Sequence, residues 1–323
     1  MKAVVYSNYG SPDVLKCEEI EKPTAGDNEV LIRVRAASVN PYDWHFMRGT
    51  PYMVRIMAGL LKPKDKRLGV DVAGQVEAVG ENVTQLKPGD EVFGACRGAF
   101  AEYACASESA LVQKPDNVTF EQAASVPIAA FTALQGLRDK GHLQPGQKVL
   151  INGAAGGVGT FAVQIAKWFG ADVTGVCSTR NVDMVRSIGA DRVIDYTQED
   201  FTKSGRRYDL FFDGVGNHSL SACRRVLNPK GIYVPFGGSS DRWMIGPLAR
   251  MLKTLVLSRF VSQTLVIFFL AKASKEDLIV MHELMAAGKV TPVIDKCYKL
   301  SEVPEAIRYL EEGHARGKVV ITL

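Results

Sequence analysis

The chain has 323 residues, a hydrophobic fraction of 46%, a charged fraction of 23% and a net charge of +4. That length exceeds one typical domain and allows two sizeable cores. The mild charge, with no arginine-rich or aromatic-interleaved patch, excludes nucleic acid as the expected partner. Six scattered cysteines without a Cys-x-x-Cys pair fit neither a disulfide framework nor a zinc knuckle, but a reducing compartment.

The N-terminus runs straight into a strand pattern and shows no signal peptide. A soluble, cytoplasmic protein is expected, with a transit sequence removed ahead of Met1 left open. Strands are expected at 2–6, 29–38, 71–79 and 91–95, separated by turn signals such as Tyr9-Gly10-Ser11-Pro12 and Lys87-Pro88-Gly89-Asp90. Residues 1–122 thus read as a compact all-β unit. From 123 the period changes, with helices expected at 120–140, 160–169 and 182–188 alternating with strands at 148–152, 172–177, 192–195, 208–213 and 231–236. Such alternation implies a parallel sheet with helices on both faces. A helix at 275–287 follows, then a strand at 290–294, a helix at 301–312 and a strand at 318–322. The reading is an all-β domain, 1–122 with 274–323, interrupted by a doubly wound α/β domain at 123–273.

The most informative stretch is Asn152-Gly153-Ala154-Ala155-Gly156-Gly157-Val158-Gly159, between the apolar run 148–151 and a helical segment. A strand turning through glycines into a helix N-terminus cradles a diphosphate: backbone amides approach closely and the helix dipole favours negative charge. Gly156, Gly157, Val158 and Gly159 are the expected contacts. After the next strand an NAD enzyme usually carries an acidic residue for the ribose 2′-hydroxyl. Here the sequence is Cys177-Ser178-Thr179-Arg180-Asn181. With no carboxylate after that strand to compete, Ser178, Thr179 and Arg180 can receive a 2′-phosphate, which favours NADPH.

Five segments together resemble the medium-chain dehydrogenase/reductase superfamily, in its zinc-free quinone oxidoreductase and 2-alkenal (enone) reductase branch. They are Ser38-Val39-Asn40-Pro41-Tyr42-Asp43, Gly69-Val70-Asp71-Val72-Ala73-Gly74, Leu86-Lys87-Pro88-Gly89-Asp90-Glu91-Val92, the glycine string, and Gly317-Lys318-Val319-Val320. They span nearly the whole chain. The resemblance implies an α/β protein whose GroES-like β-barrel catalytic domain is interrupted by a Rossmann domain. It adds Tyr196 at the 2′-phosphate, and Thr132, Phe236, Gly237 and Phe268 around the nicotinamide and its ribose. It also marks departures from the zinc alcohol dehydrogenases: Asn40 stands where they have a cysteine ligand, and Gly69-Val70-Asp71 where they have Gly-His-Glu. The four-cysteine structural lobe is missing and the five histidines lie apart, so no metal is expected.

Without a Lewis acid, hydride delivery suits an electron-poor acceptor, a quinone or an α,β-unsaturated carbonyl. Asn40 is the leading polar group for orienting substrate or cofactor amide, Asp43 supports its loop, and Tyr52 lines the pocket or donates to a carbonyl oxygen. Two alternatives stay open: an enoyl-thioester reductase of the same superfamily, and an NADPH-binding protein with incidental reductase activity. Residues 239–275 carry six basic residues and one acidic. There an amphipathic helix at 247–259 is either a lid or a weak peripheral contact with anionic membrane. The strand expected at 262–268 presents an edge for a homodimer.

Overall fold

The computed structural model describes residues 1–238, 245–267 and 269–323. Its strands in chain order are β1 (Lys2–Val5), β2 (Lys16–Glu19), β3 (Glu29–Val39), β4 (Asp71–Val79), β5 (Glu91–Ala95), β6 (Tyr103–Ser107), β7 (Leu111–Gln113), β8 (Lys148–Asn152), β9 (Asp172–Cys177), β10 (Arg192–Asp195), β11 (Tyr208–Asp213), β12 (Leu227–Pro235), β13 (Thr264–Leu265), β14 (Ile294–Lys299) and β15 (Lys318–Thr322). Its helices are α1 (Pro41–Arg48), α2 (Met53–Ala58), α3 (Phe120–Ala124), α4 (Pro127–Gln135), α5 (Gly157–Trp168), α6 (Val182–Ser187), α7 (Leu220–Arg225), α8 (Ile245–Leu257), α9 (Lys275–Ala286) and α10 (Val303–Glu311). They form two compact units, Met1–Ile128 with Ala273–Leu323, and Ala129–Lys272.

The first unit is built on a seven-stranded sheet in the order β14-β15-β3-β4-β5-β7, with β6 also on β3. β3 is long because it serves three neighbours. Its start pairs with β6 and its end with β15, while β4 runs along it, with register shifts at Leu31/Ile32 and Val34/Ala36. Such irregularities bend a strand and let one sheet curl around its core. Val30, Ile32, Val34, Val72, Val92, Val319 and Ile321 fill that core.

The second unit is a six-stranded parallel sheet ordered β10-β9-β8-β11-β12-β13. In order of appearance within the unit this is 3-2-1-4-5-6, the doubly wound arrangement whose order reverses beside its first strand. Val149, Leu150 and Ile151 are fully buried, as a strand covered on both faces requires.

Three expectations shift. The helix expected at 120–140 is broken into α3 and α4, because Pro127 lacks an N–H and disfavours helical backbone at Val126. The strand expected at 290–294 begins instead at Ile294, after Pro292, which cannot donate to a ladder. The strand expected at 262–268 is only Thr264–Leu265 among the described residues.

Candidate active site

In the second unit the chain leaves β8 through Gly153 (φ +84°) and enters α5 with Gly156 as the N-cap. The first amides of a helix have no partner within it, and residues 156–158 are only partly buried. A Cβ on Gly159 would stand 2.1 Å from the Gly153 carbonyl oxygen. Only glycine lets the start of α5 sit this close to the turn behind β8. Among the described residues, the expected cofactor contacts fall largely on the carboxyl ends of parallel strands: Gly156–Gly159 beyond β8, Ser178–Arg180 after β9, Tyr196 after β10, Phe236 and Gly237 after β12. Thr132 sits on α4, half-buried. Phe268 lies outside the described residues.

β9 and β10 bring the residues expected at the 2′-phosphate together. The Tyr196 amide donates to the Cys177 carbonyl at 3.0 Å, and the Tyr196 side chain is 57% exposed. The strands also bring a carboxylate, which corrects the expectation that none competes. Asp195, across from Cys177, accepts from the Thr179 hydroxyl at 2.6 Å and from the Thr197 hydroxyl at 2.8 Å. The Thr179 hydroxyl holds its carboxyl below the usual carboxylate range. The acid came from β10, one strand farther than the position where sequence reasoning looked for it.

The β8–β11 switch point holds a buried network that sequence reasoning missed. Asp213, 1% exposed at the end of β11, accepts from Asn152 Nδ2 at 2.9 Å, from the Val215 and Gly216 amides at 3.1 and 3.0 Å, and from the Tyr233 hydroxyl at 2.9 Å. Arg250 on α8 donates to the Tyr233 hydroxyl at 2.7 Å and to the Gly216 and His218 carbonyls at 3.1 Å each. Arg250 is therefore an inward anchor and not, as expected of that helix, a surface charge. Phe236 stacks on Phe212 with centroids 4.0 Å apart. A Cβ on Gly237 would stand 2.2 Å from the Gly214 carbonyl oxygen, so the loop after β12 lies close against the one after β11.

In the first unit Asn40 and Asp43 belong to a second buried network. Asn40 is 2% exposed and Asp43 fully buried. Asn40 N-caps α1, Pro41 opens the helix, and the Asp43 carboxylate reaches back to the Asn40 amide at 2.7 Å and to the Gly69 amide at 3.2 Å. The Asn40 side chain points at three partners: its Nδ2 donates to Asp71 Oδ2 at 2.8 Å and to the Ser38 carbonyl at 3.2 Å, and its Oδ1 accepts from Lys318 Nζ at 2.6 Å. Asp71 further accepts from the Ser38 hydroxyl at 2.8 Å and from the Ile128 amide in the first turn of α4 at 3.1 Å, with Lys318 Nζ 3.6 Å away. The Tyr52 ring lies 4.9 Å from the Arg55 guanidinium.

Lys318, Asp71 and Ser38 are the members that sequence reasoning missed, although each lies inside a segment singled out for the resemblance. Burial lowers the Lys318 ammonium from its usual range, and Asp71 and Asp43 offset part of that. Asp43 is pushed up to about 7, chiefly by desolvation, with Asp71 adding to the rise. The donor set does not fit zinc. Asn40 and Asp71 are joined to a lysine ammonium, and among the described residues no three His, Cys, Asp or Glu side chains gather as metal ligands.

Two family models match: an alcohol dehydrogenase GroES-like domain over residues 26–116, and a zinc-binding dehydrogenase over residues 188–321. The chain is 37% identical to the mitochondrial NAD(P)H oxidoreductase RTN4IP1 of Bos taurus, covering 100% of this chain and 89% of that one. It is 35% identical to the chloroplastic NADPH-dependent alkenal/one oxidoreductase of Arabidopsis thaliana, covering 99% and 79%. Among solved structures, the quinone oxidoreductase of Coxiella burnetii superposes with a TM-score of 0.86 at 31% identity, over 100% of this chain and 99% of that one.

Proposed function

We propose that this chain, which belongs to the medium-chain dehydrogenase/reductase superfamily in the branch of the quinone and alkenal/one oxidoreductases, moves hydride from NADPH to quinones or α,β-unsaturated carbonyls without a metal. The observation that carries this reading is the glycine N-terminus of α5 at the switch point of a parallel sheet, with Ser178, Thr179 and Arg180 directly after the next strand. The relatives' names, NAD(P)H, NADPH-dependent alkenal/one and quinone oxidoreductase, support the same chemistry.

Bound NADPH would supply the hydride, and the chain's own residues bind and orient it. The amides of Gly157, Val158 and Gly159 take the diphosphate; Ser178, Thr179, Arg180 and Tyr196 take the 2′-phosphate. Thr132, Phe236 and Gly237 flank the nicotinamide, placing its ring and excluding water. An acceptor already poor in electrons needs no Lewis acid, only hydrogen-bond donors where negative charge develops on oxygen. Tyr52 is the proposed donor. Both amide hydrogens of Asn40 are spent inside the protein, so Asn40 and Asp43 act by holding the β3–α1 corner in place. A homodimer along the edge of β13 is the proposed assembly, measurable by light scattering. No helix among the described residues is long and apolar enough to cross a membrane.

The test is NADPH oxidation followed across quinones, enals, enones and enoyl thioesters. Turnover of at least one quinone or enone with kcat/KM above about 10⁴ M⁻¹s⁻¹ is expected, the lower range for enzymes. Turnover confined to enoyl thioesters, or values far below that for every acceptor, would overturn the reading.

A further inference from the structure

Ten of the seventeen large apolar side chains exposed among the described residues fall in two short segments, five at 53–61 and five at 248–260. In the first unit these are Met53, Ile56, Met57, Leu60 and Leu61, between 58% and 89% exposed. A group this dense marks an interaction surface, whereas single exposed apolar residues do not. The loop is also firmly built. Tyr9 donates its hydroxyl to the Gly59 carbonyl at 2.6 Å, and Arg55 donates to the Gly49 carbonyl at 2.9 Å with its guanidinium 4.5 Å from the Tyr9 ring. The Lys64 amide closes the turn on the Ala58 carbonyl at 2.7 Å. With its polar groups holding the base, the segment presents its apolar side chains outward. Directly after Leu61 come the exposed Lys62, Lys64 and Lys66, and the one acid among them, Asp65, is paired with Arg67 at 3.2 Å.

The second unit repeats the device on a different element. Arg250 and the buried Thr254 fix one face of α8. Leu252, Leu255 and Val256 face outward with Phe260, which is 81% exposed, and Lys253 and Arg259 are exposed beside them.

We propose that each of these two faces seats on an anionic phospholipid bilayer, its apolar side chains entering the boundary between headgroups and acyl chains and its basic side chains meeting the lipid phosphates. Charge decides the occupant. Lysine is depleted from protein–protein interfaces, and a symmetric contact between two copies of this chain would set like charges against each other. Apolar side chains ringed by basic ones are what an anionic lipid surface attracts.

The experiment is co-sedimentation of the full chain with vesicles of equal parts phosphatidylcholine and phosphatidylserine, against vesicles of phosphatidylcholine alone, with neither NADPH nor an acceptor present. The result therefore stands apart from the reductase reading. Binding to the anionic vesicles only, weakened by salt, is expected. Replacing Lys62, Lys64 and Lys66 with glutamine should lower the partition coefficient roughly fivefold per lysine. Leu60→Ser with Leu61→Ser, and separately Leu252→Ser with Val256→Ser, should each lower it further, in proteins whose melting temperature shows them folded. Equal binding to both vesicle types, or none to the anionic ones at low salt, would overturn the proposal. So would variants that halve the mass in light scattering while leaving vesicle binding intact, since a second copy would then be the occupant.

Discussion

Lys318 places an ammonium group, 4% exposed, beside two buried aspartates and the amide of Asn40. Removing one member of a buried charged set leaves the others unpaired, so Lys318→Met should cost about 3–5 kcal/mol of unfolding free energy. Adding Asp71→Asn should recover part of it, because the uncompensated charge goes. Urea unfolding of the two variants measures this, and a double variant less stable than the single would refute it. Asp43 gives a pH signature. Its carboxyl is raised to about 7 in the fold, above its value in the unfolded chain, so folding favours the protonated form. That contribution is complete below the ordinary carboxylate range and is lost as pH rises through about 7. Wild-type stability should therefore carry a downward component between about pH 4 and about pH 7, which Asp43→Asn removes. At the cofactor end, Arg180→Ala should raise the NADPH KM roughly 10- to 100-fold, the worth of a charge-assisted hydrogen bond. Asp195→Asn should lower it up to about fivefold at low ionic strength, by removing a carboxylate from beside the 2′-phosphate position. A wild-type preference for NADH would defeat both expectations.

The start of α5 separates two uses of glycine. At Gly159 a Cβ would run into backbone, 2.1 Å from the Gly153 carbonyl oxygen, so Gly159→Ala must push the helix from the turn. It should cost about 1–3 kcal/mol of stability as well as NADPH affinity. At Gly156 a Cβ would meet nothing nearer than 3.5 Å, and the backbone there has a φ of −82°. Gly156→Ala should fold like wild type and lose only affinity, because its methyl group would intrude where the phosphate approaches. Comparison of melting temperature with cofactor titration tells the two apart. The legibility of the elements has a similar physical basis. Asp71–Val79, Lys148–Asn152 and Asp172–Cys177 were readable because apolar runs stop at turn residues. α1 was missed although Asn40, Pro41 and Asp43 spell an N-cap, a first-turn proline and a capping acid. Taking those residues for catalytic ones hid their local role. The Asn40–Asp71–Lys318 constellation joins residues 278 apart in sequence, and no periodicity can announce a contact of that kind.

At the scale of the molecule, the chain builds two cores from interleaved sequence. Val4, Val34, Val72 and Val319 pack in one, Leu150, Val176, Phe211 and Leu227 in the other. The first unit is made of the two ends of the chain, and its strand β15 supplies Lys318 to the network that starts from β3. The diphosphate and 2′-phosphate contacts proposed for NADPH belong to the second unit, apart from any residue of that network. This gives the organisation a thermodynamic consequence. A ligand present at about 100 times its Kd stabilises whatever must stay folded to hold it by about 2.7 kcal/mol. Amides of β8, β9 and β11 that exchange only when the second unit opens should therefore slow roughly 100-fold on saturation with NADPH. Amides of β3, β4 and β15, protected by the other core, should exchange at their former rates if each core opens by itself. Hydrogen exchange read by mass spectrometry resolves the two sets. Equal slowing in both would mean that the cores unfold as one cooperative block, and the stability assigned to the Lys318 network would then belong to the whole chain.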